Sequence, residues 1–173
     1  ADEFLKTDGS GVLSWASAGG SNTPAFSAKL GSNLTMASAT TVYDVVFNTE
    51  FFDVGSCYDS STGIFTVPSG EAGKYCISTS CMFSDPNGNV SDFLIYMHST
   101  IGGSASQDTV ARAESTSNGT LFTQRELGYT TVLDLSVGDA IKMQVYQQTN
   151  NGSTITLKGA GRNTVFSAFK LIE

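Results

Sequence analysis

The chain is poor in the residues on which most catalytic sites and polyanion-binding surfaces depend. It holds one histidine, one tryptophan, three prolines and three cysteines among 173 residues. Lysine and arginine number 9 against 16 acidic residues, a net charge of −7. A phosphate backbone needs a basic footprint, so the composition argues against nucleic-acid binding and against charge-driven adhesion to anionic membranes. The excess acid reads simply as solubility. No apolar run reaches the ~18 residues of a spanning helix, so no membrane insertion is expected. No signal peptide is visible, and a start at Ala1 rather than Met reads as a fragment or a processed product.

The cysteine count is odd, which does not suit a closed disulfide framework. Cys76 and Cys81 lie five apart, so on one strand they face opposite sides and cannot bridge there. No metal-ligand spacing joins them to Cys57. The reading is of buried, reduced thiols in a chain assembled in a reducing compartment.

His98 has no Cys or Ser partner at a recognisable spacing and reads as a surface residue of a polar strand face. The nucleophile elbow, the phosphate-cradling glycine loop and the zinc-protease helix motif are all missing. Paired acids for sugar cleavage have no fixed spacing to look for. The expectation is a protein without enzymatic activity. Arg112, Glu114, Arg125 and Glu126 read as cross-strand pairs on a solvated face. Calcium is the one cofactor with candidate ligands, in the run Asp53 to Asp59 and in the turn Asp85-Pro-Asn87-Gly-Asn89. There is no EF-hand spacing, and the same residues serve equally as turn caps. Asn-X-Ser/Thr triplets begin at Asn33, Asn89, Asn118 and Asn151 and matter only in a glycosylating host.

What the chain does have is 18 glycines and many Ser, Thr and Asn residues, with 40% apolar and 14% charged content. That mix suits an all-β domain with many turns. The length suits one domain with a core. Residues 1–24 stand apart as the end of a stem, closed by a Gly/Ser linker from Ala18 to Pro24, and Asp8-Gly9 reads as a hairpin turn. Trp15 is expected to pack on the following domain or on its copies in neighbouring chains. The head occupies residues 25–173. Its candidate strands are 25–29, 41–52, 64–67, 73–83, 92–100, 107–114, 121–135, 140–148, 154–158 and 164–172, with Gly-, Pro- and Asn-rich turns between them and no convincing helix. Ten strands at near-regular spacing predict a sandwich or jelly roll.

The final strand carries the strongest signal. Val165, Phe169 and Leu171 point one way, and Phe166, Ala168 and Ile172 the other. An antiparallel strand with one wet face shows polar residues on that face. Two apolar faces predict two covers: the chain's own core and a neighbouring copy.

A set of motifs in order resembles the globular head of complement C1q, a relative of the tumour necrosis factor fold. They are Ala25-Phe-Ser-Ala28, Val46-Phe-Asn48, Tyr58-Asp-Ser-Ser-Thr-Gly-Ile-Phe-Thr-Val-Pro68, Gly73-Lys-Tyr75, Val132-Leu-Asp-Leu-Ser-Val-Gly-Asp139 and Phe166-Ser-Ala-Phe-Lys-Leu171. The likeness covers about residues 25–172. It departs at Ala168, where the family usually has Gly, at Ile141 to Met143, where an aromatic is usual, and in the lengthened loop Pro68 to Gly73. The resemblance implies a ten-stranded jelly roll that forms a homotrimer, with its first and last strands adjacent in the sheet that faces the threefold axis. It implies a recognition module. No Gly-X-Y stalk precedes the head. Instead Phe4-Leu-Lys-Thr-Asp-Gly-Ser-Gly-Val-Leu-Ser-Trp15 resembles a phrase common in bacteriophage tail-fibre and virion-appendage proteins.

The leading expectation is therefore the trimeric tip of a phage fibre or spike in the virion, binding a host-surface receptor such as a glycan and joined to other virion proteins through its stem. The alternatives are a capsid decoration or fibre cap, and a secreted, extracellular C1q-like defence or adhesion protein. Tyr75, Phe166, Ala168 and Phe169 are the expected trimer-interface residues. Asp85, Asn87, Asn89, Ser115 and Asn118 are the expected ligand contacts, chosen on loop polarity alone.

Overall fold

Buried and more exposed residues alternate along the long central strands, and that alternation sorts the head into two stacked sheets. A computed structural model describes residues 3–7, 9–17, 22–37, 40–86, 90–114, 123–149 and 152–171. The strands begin with β1 (Glu3–Thr7), β2 (Leu13–Ser17), β3 (Ala25–Lys29), β4 (Leu34–Met36) and β5 (Val42–Asp44). They continue with β6 (Thr49–Val54), β7 (Tyr58–Asp59), β8 (Ile64–Thr66), β9 (Gly73–Ser84) and β10 (Val90–Ile101). The last five are β11 (Ser104–Glu114), β12 (Gln124–Leu135), β13 (Ala140–Thr149), β14 (Ile155–Leu157) and β15 (Val165–Lys170). Among the described residues there is no helix, so none long and apolar enough to cross a membrane.

β1 and β2 form a separate antiparallel hairpin. One sheet of the head has seven strands. β9 lies at its centre, paired along its whole length with β12 on one side and with β15 and β14 on the other. β15 pairs with β3, β3 with β6, and β14 with β4. The first and last strands of the head are thus neighbours, as the resemblance implied. The second sheet has six strands, built around the β11-β10-β13 ladder, with β8, β7 and β5 beside it.

The head has thirteen strands among the described residues, where ten were read from sequence. The candidate strand 41–52 divides: β5 joins the six-stranded sheet and β6 the seven-stranded one. The other two additions, β4 and β7, are three and two residues long. Runs that short carry no periodicity to detect.

The inward parity of both sheets meets in one aromatic core. Phe26 stacks on Tyr58 with centroids 4.3 Å apart, and Phe166 meets Phe26 edge-on at 4.9 Å. Phe65 packs on Tyr75, and at the other end Phe83 stacks on Phe93 at 4.4 Å. Each buried ring contributes ~1.5–3 kcal/mol of transfer free energy, which is the main reason the strands hold this register.

Carboxylates tie the turns around that core. Asp53 accepts the N–H groups of Cys57 and Tyr58 and the Cys57 thiol. Asp59 accepts from the Ser61 amide and hydroxyl and from the Thr62 hydroxyl, and these bonds hold it below the usual carboxylate range. Asp139 accepts the N–H groups of Gly102 and Ser136. Such bonds lock turns with few residues. They also occupy the oxygens that a cation would need. Among the described residues no group of three or more His, Cys, Asp or Glu side chains is placed to hold a metal ion.

Candidate functional site

The seven-stranded sheet turns one face to the core and the other away from it. On β9, Tyr75, Ile77 and Cys81 are buried, so Cys76, Ser78 and Ser80 point outward. On β15, Phe166 and Ala168 are buried, so Val165, Ser167 and Phe169 point outward and remain half-buried.

Register aligns these outward residues into rows. Val132 on β12 stands opposite Cys76, Cys76 opposite Phe169, Phe169 opposite Ala25, and Ala25 opposite Val54 on β6. One apolar row therefore crosses five strands. Its two ends are the most open: Val132 is 52% and Val54 48% exposed. The adjacent row is Thr130, Ser78, Ser167, Ser27 and Phe52. Its hydroxyls are short, and those of Ser78 and Thr130 bond each other at 2.9 Å. The face is therefore flat, built from Ala, Ser, Cys and Thr with an apolar stripe. A surface of that kind admits another backbone closely, and an exposed apolar stripe gains free energy when it is covered.

This geometry corrects three of the four residues expected at a subunit interface. Tyr75 and Phe166 are fully buried within their own sandwich, and Ala168 is 1% exposed. They belong to the inward parity and offer nothing to a second chain. The Tyr75 hydroxyl donates to the Glu71 carbonyl at 2.6 Å, and burial, with Glu71 and Cys57 nearby, pushes its pKa up to about 12. Only Phe169 of the four lies on the outward face. Sequence gave the strand two apolar faces but no sign of which was inward. The deciding signal was Phe26 and Ala28, which share the buried side with Phe166 and Ala168.

The expected ligand residues fare differently. Asp85 is fully buried, and its carboxylate accepts the Val90 N–H at 2.8 Å. It closes the β9–β10 connection and is not a surface contact. Asn87, Asn89, Ser115 and Asn118 lie outside the described residues. Of the expected charge pairs, Arg112 grips Asp92 with two bonds of 3.0 and 2.7 Å and also meets Glu114 at 3.0 Å.

All three cysteines are free. Cys57 and Cys81 are buried inside, and burial pushes each thiol up to about 12, Asp53 adding to the effect at Cys57. Cys76 is the exception to the expectation of buried thiols: it is half-buried on the outward face, five residues and one parity away from Cys81.

The stem hairpin also carries an unpartnered apolar face. Leu5 pairs with Trp15, and Thr7 with Leu13, placing these four side chains on one side. Trp15 is 69% exposed, so it does not pack on the head within one chain. The hairpin ladder ends at the Thr7–Leu13 pair, and Asp8 of the expected Asp8-Gly9 turn lies outside the described residues.

The sequence model of the C1q domain family matches residues 25–171. No curated protein matches the chain. Among solved structures, the globular domain of zebrafish complement 1qA is similar with a TM-score of 0.56 at 16% identity, over 86% of this chain and 98% of that one. Murine APRIL gives a TM-score of 0.57 at 14% identity, over 85% and 98%. Eiger TNF from S. frugiperda gives 0.59 at 16% identity, over 85% and 90%. At these identities the likeness is one of fold.

Proposed function

The chain belongs to the C1q domain family, and on that premise we propose that it is a non-enzymatic recognition head that assembles as a homotrimer at the end of a viral fibre and binds a receptor on the host surface. Domains of this family are commonly trimeric recognition modules. The observation that carries the assembly is the row Val132–Cys76–Phe169–Ala25–Val54, an apolar stripe across five strands whose two ends, Val132 and Val54, are about half exposed. Copies of the same sheet cover it by packing around an axis, as closed symmetry requires. The viral context is supported by the stem phrase and by its fold. A two-stranded hairpin is marginal alone. Leu5, Leu13 and Trp15 give it an apolar side suited to its own copies or to the preceding fibre. Three heads on one stem turn weak single-site affinity into firm attachment.

Light scattering of the full chain at micromolar concentration tests the assembly. The expected mass is three times the 18.2 kDa of one chain. A single-chain mass overturns it. Saturable adsorption of the labelled trimer to host cells tests recognition, and an intact trimer that adsorbs to no host favours a purely structural cap.

A further inference from the structure

The outward face of the six-stranded sheet is built on different chemistry. Register sets Gln107, His98 and Lys142 in one row across β11, β10 and β13. Tyr96, Gln144 and Asp44 form the next, across β10, β13 and β5. Their side chains are linked. Lys142 Nζ donates to Asp44 Oδ2 at 2.9 Å, and Gln144 Nε2 donates to Asp44 Oδ1 at 2.6 Å. Gln107 Nε2 reaches across β10 and donates to Gln144 Oε1 at 2.6 Å.

Asp44, His98, Gln107 and Gln144 line an open groove of about 590 Å³. A second recess of about 200 Å³ adjoins it, lined by Ile64, His98, Thr100 and Lys142 among others. His98 stands between the two and lines both. Its ring nitrogens have no hydrogen-bond partner among the described residues. Burial pushes the Asp44 carboxyl up, but the bonds from Gln144 and Lys142 outweigh that, and the net effect holds it below the usual carboxylate range. Asp44 is therefore an anion at neutral pH, paired with one ammonium.

We propose that this groove is a binding site for a neutral oligosaccharide, with Asp44, Gln107, Gln144 and Lys142 pairing the hydroxyls of pyranose rings and His98 supplying ring surface. This names the ligand and the site for the recognition reading above and rests on that reading. Charge comes first. The Asp44 carboxylate offsets the Lys142 ammonium, and the lining holds no arginine and no second ammonium to select a phosphate or sulfate. The planarity of the lining follows. Amides and a carboxylate offer adjacent donor and acceptor positions in one plane, and neighbouring sugar hydroxyls each donate and accept. An apolar ligand would cover the donor and acceptor positions these groups still have free without meeting them, at a cost for each. The bonds among Asp44, Gln144 and Gln107 fix the side chains beforehand, so little rotamer freedom is lost on binding. The His98 imidazole, which lines both recesses, presents a ring to the C–H face of a sugar. The groove falls within the ~300–1,000 Å³ of ordinary ligand sites. It also lies on the sheet opposite the apolar row, so assembly through that row leaves it open on every copy.

An array carrying neutral hexose and N-acetylhexosamine oligosaccharides beside sialylated and sulfated ones tests the site with the full chain. Isothermal titration with the best neutral oligosaccharide then gives single-site affinity. Gln144→Ala and His98→Ala should each weaken it by about ten-fold or more. Gln107→Ala, on the exposed edge strand, is a third variant should either of these fail to fold. Val132→Asp on the opposite sheet should leave single-site affinity within about two-fold while lowering avidity on the array. The site is overturned if no neutral oligosaccharide binds, if binding is confined to sialylated or sulfated glycans, or if groove substitutions leave it unchanged. A trimer that adsorbs to host cells without binding neutral sugars overturns this site alone. A monomer whose sugar binding is lost in Gln144→Ala overturns the assembly and supports the site.

Discussion

Cys76 and Phe169 stand directly opposite each other on β9 and β15, on the face of the sheet turned away from the protein's own core. Each is one residue from a fully buried neighbour, Ile77 and Ala168 respectively, and the strand period of two puts the pair outside. They form the centre of the apolar row, so tests of assembly begin with them.

Charge placed in that row should dissociate the protein without unfolding it. Val132→Asp puts a carboxylate into every copy of the interface, where burial without a partner costs several kcal/mol per ion. Sedimentation should show single chains at micromolar concentration, while the thermal transition of the separated chain stays cooperative. An unchanged mass would remove this row from the interface.

The two phenylalanines of β15 should separate by parity. Phe166 is fully buried and touches Phe26, Phe47 and Tyr58. Phe166→Ala should cost about 3–5 kcal/mol in urea unfolding of the single chain. Phe169→Ala, measured in the monomeric Val132→Asp background, should cost well under half of that. Equal losses would mean that the inward and outward assignments are wrong.

Thiol labelling should report assembly directly. Cys57 and Cys81 are buried, and burial pushes both thiols up to about 12, so neither supplies thiolate near neutrality. Peptide mapping after iodoacetamide should find Cys76 alkylated in the Val132→Asp chain and protected in the assembled protein. Rapid Cys76 labelling in the native protein argues for an open face.

Alkali should destabilise the fold from about pH 9 upward. Folded-state values of about 12 for Cys57, Cys81 and Tyr75 lie above the 9.0 and 10.0 of free thiol and phenol, and burial raises Tyr58 in the same direction. Groups raised in this way contribute stability that is complete below the unfolded values and is lost as pH climbs toward the folded ones. Urea midpoints should be flat from pH 7 to the onset, then fall, more steeply once the tyrosines join above 10. A midpoint that holds through pH 10.5 contradicts the buried placement of these groups.

The sandwich was largely legible because its long strands alternate over many residues. β9, β10 and β13 sit close to where periodicity put them, and the Gly, Pro and Asn turns bound them. β4 and β7 were not legible, since runs of three and two residues carry no period of their own, and β5 was read only as part of one strand with β6, because nothing local marks where the chain changes sheets. The candidate sites were harder for the same physical reason. Tyr75 and Phe169 look alike as aromatic strand residues, and only the opposite sheet decides which one is enclosed. Asp85 looked like a loop-tip ligand because polarity says nothing about burial. The groove beside His98 joins residues 44, 98, 107 and 144, and no local signal links positions so far apart before the register is known.

The start and end of the head meet at one pole. The Lys170 N–H donates to the Pro24 carbonyl at 3.1 Å, and β15 lies against β3. A short tether could therefore join residue 171 to residue 25, and the ring could be reopened at the exposed Gly102–Gly103 bend between β10 and β11 without breaking a ladder. Such a circular permutant would keep every strand pairing and carry its new ends beside the β10–β11 hairpin. The head is thus a natural platform for displaying foreign peptides at that rim.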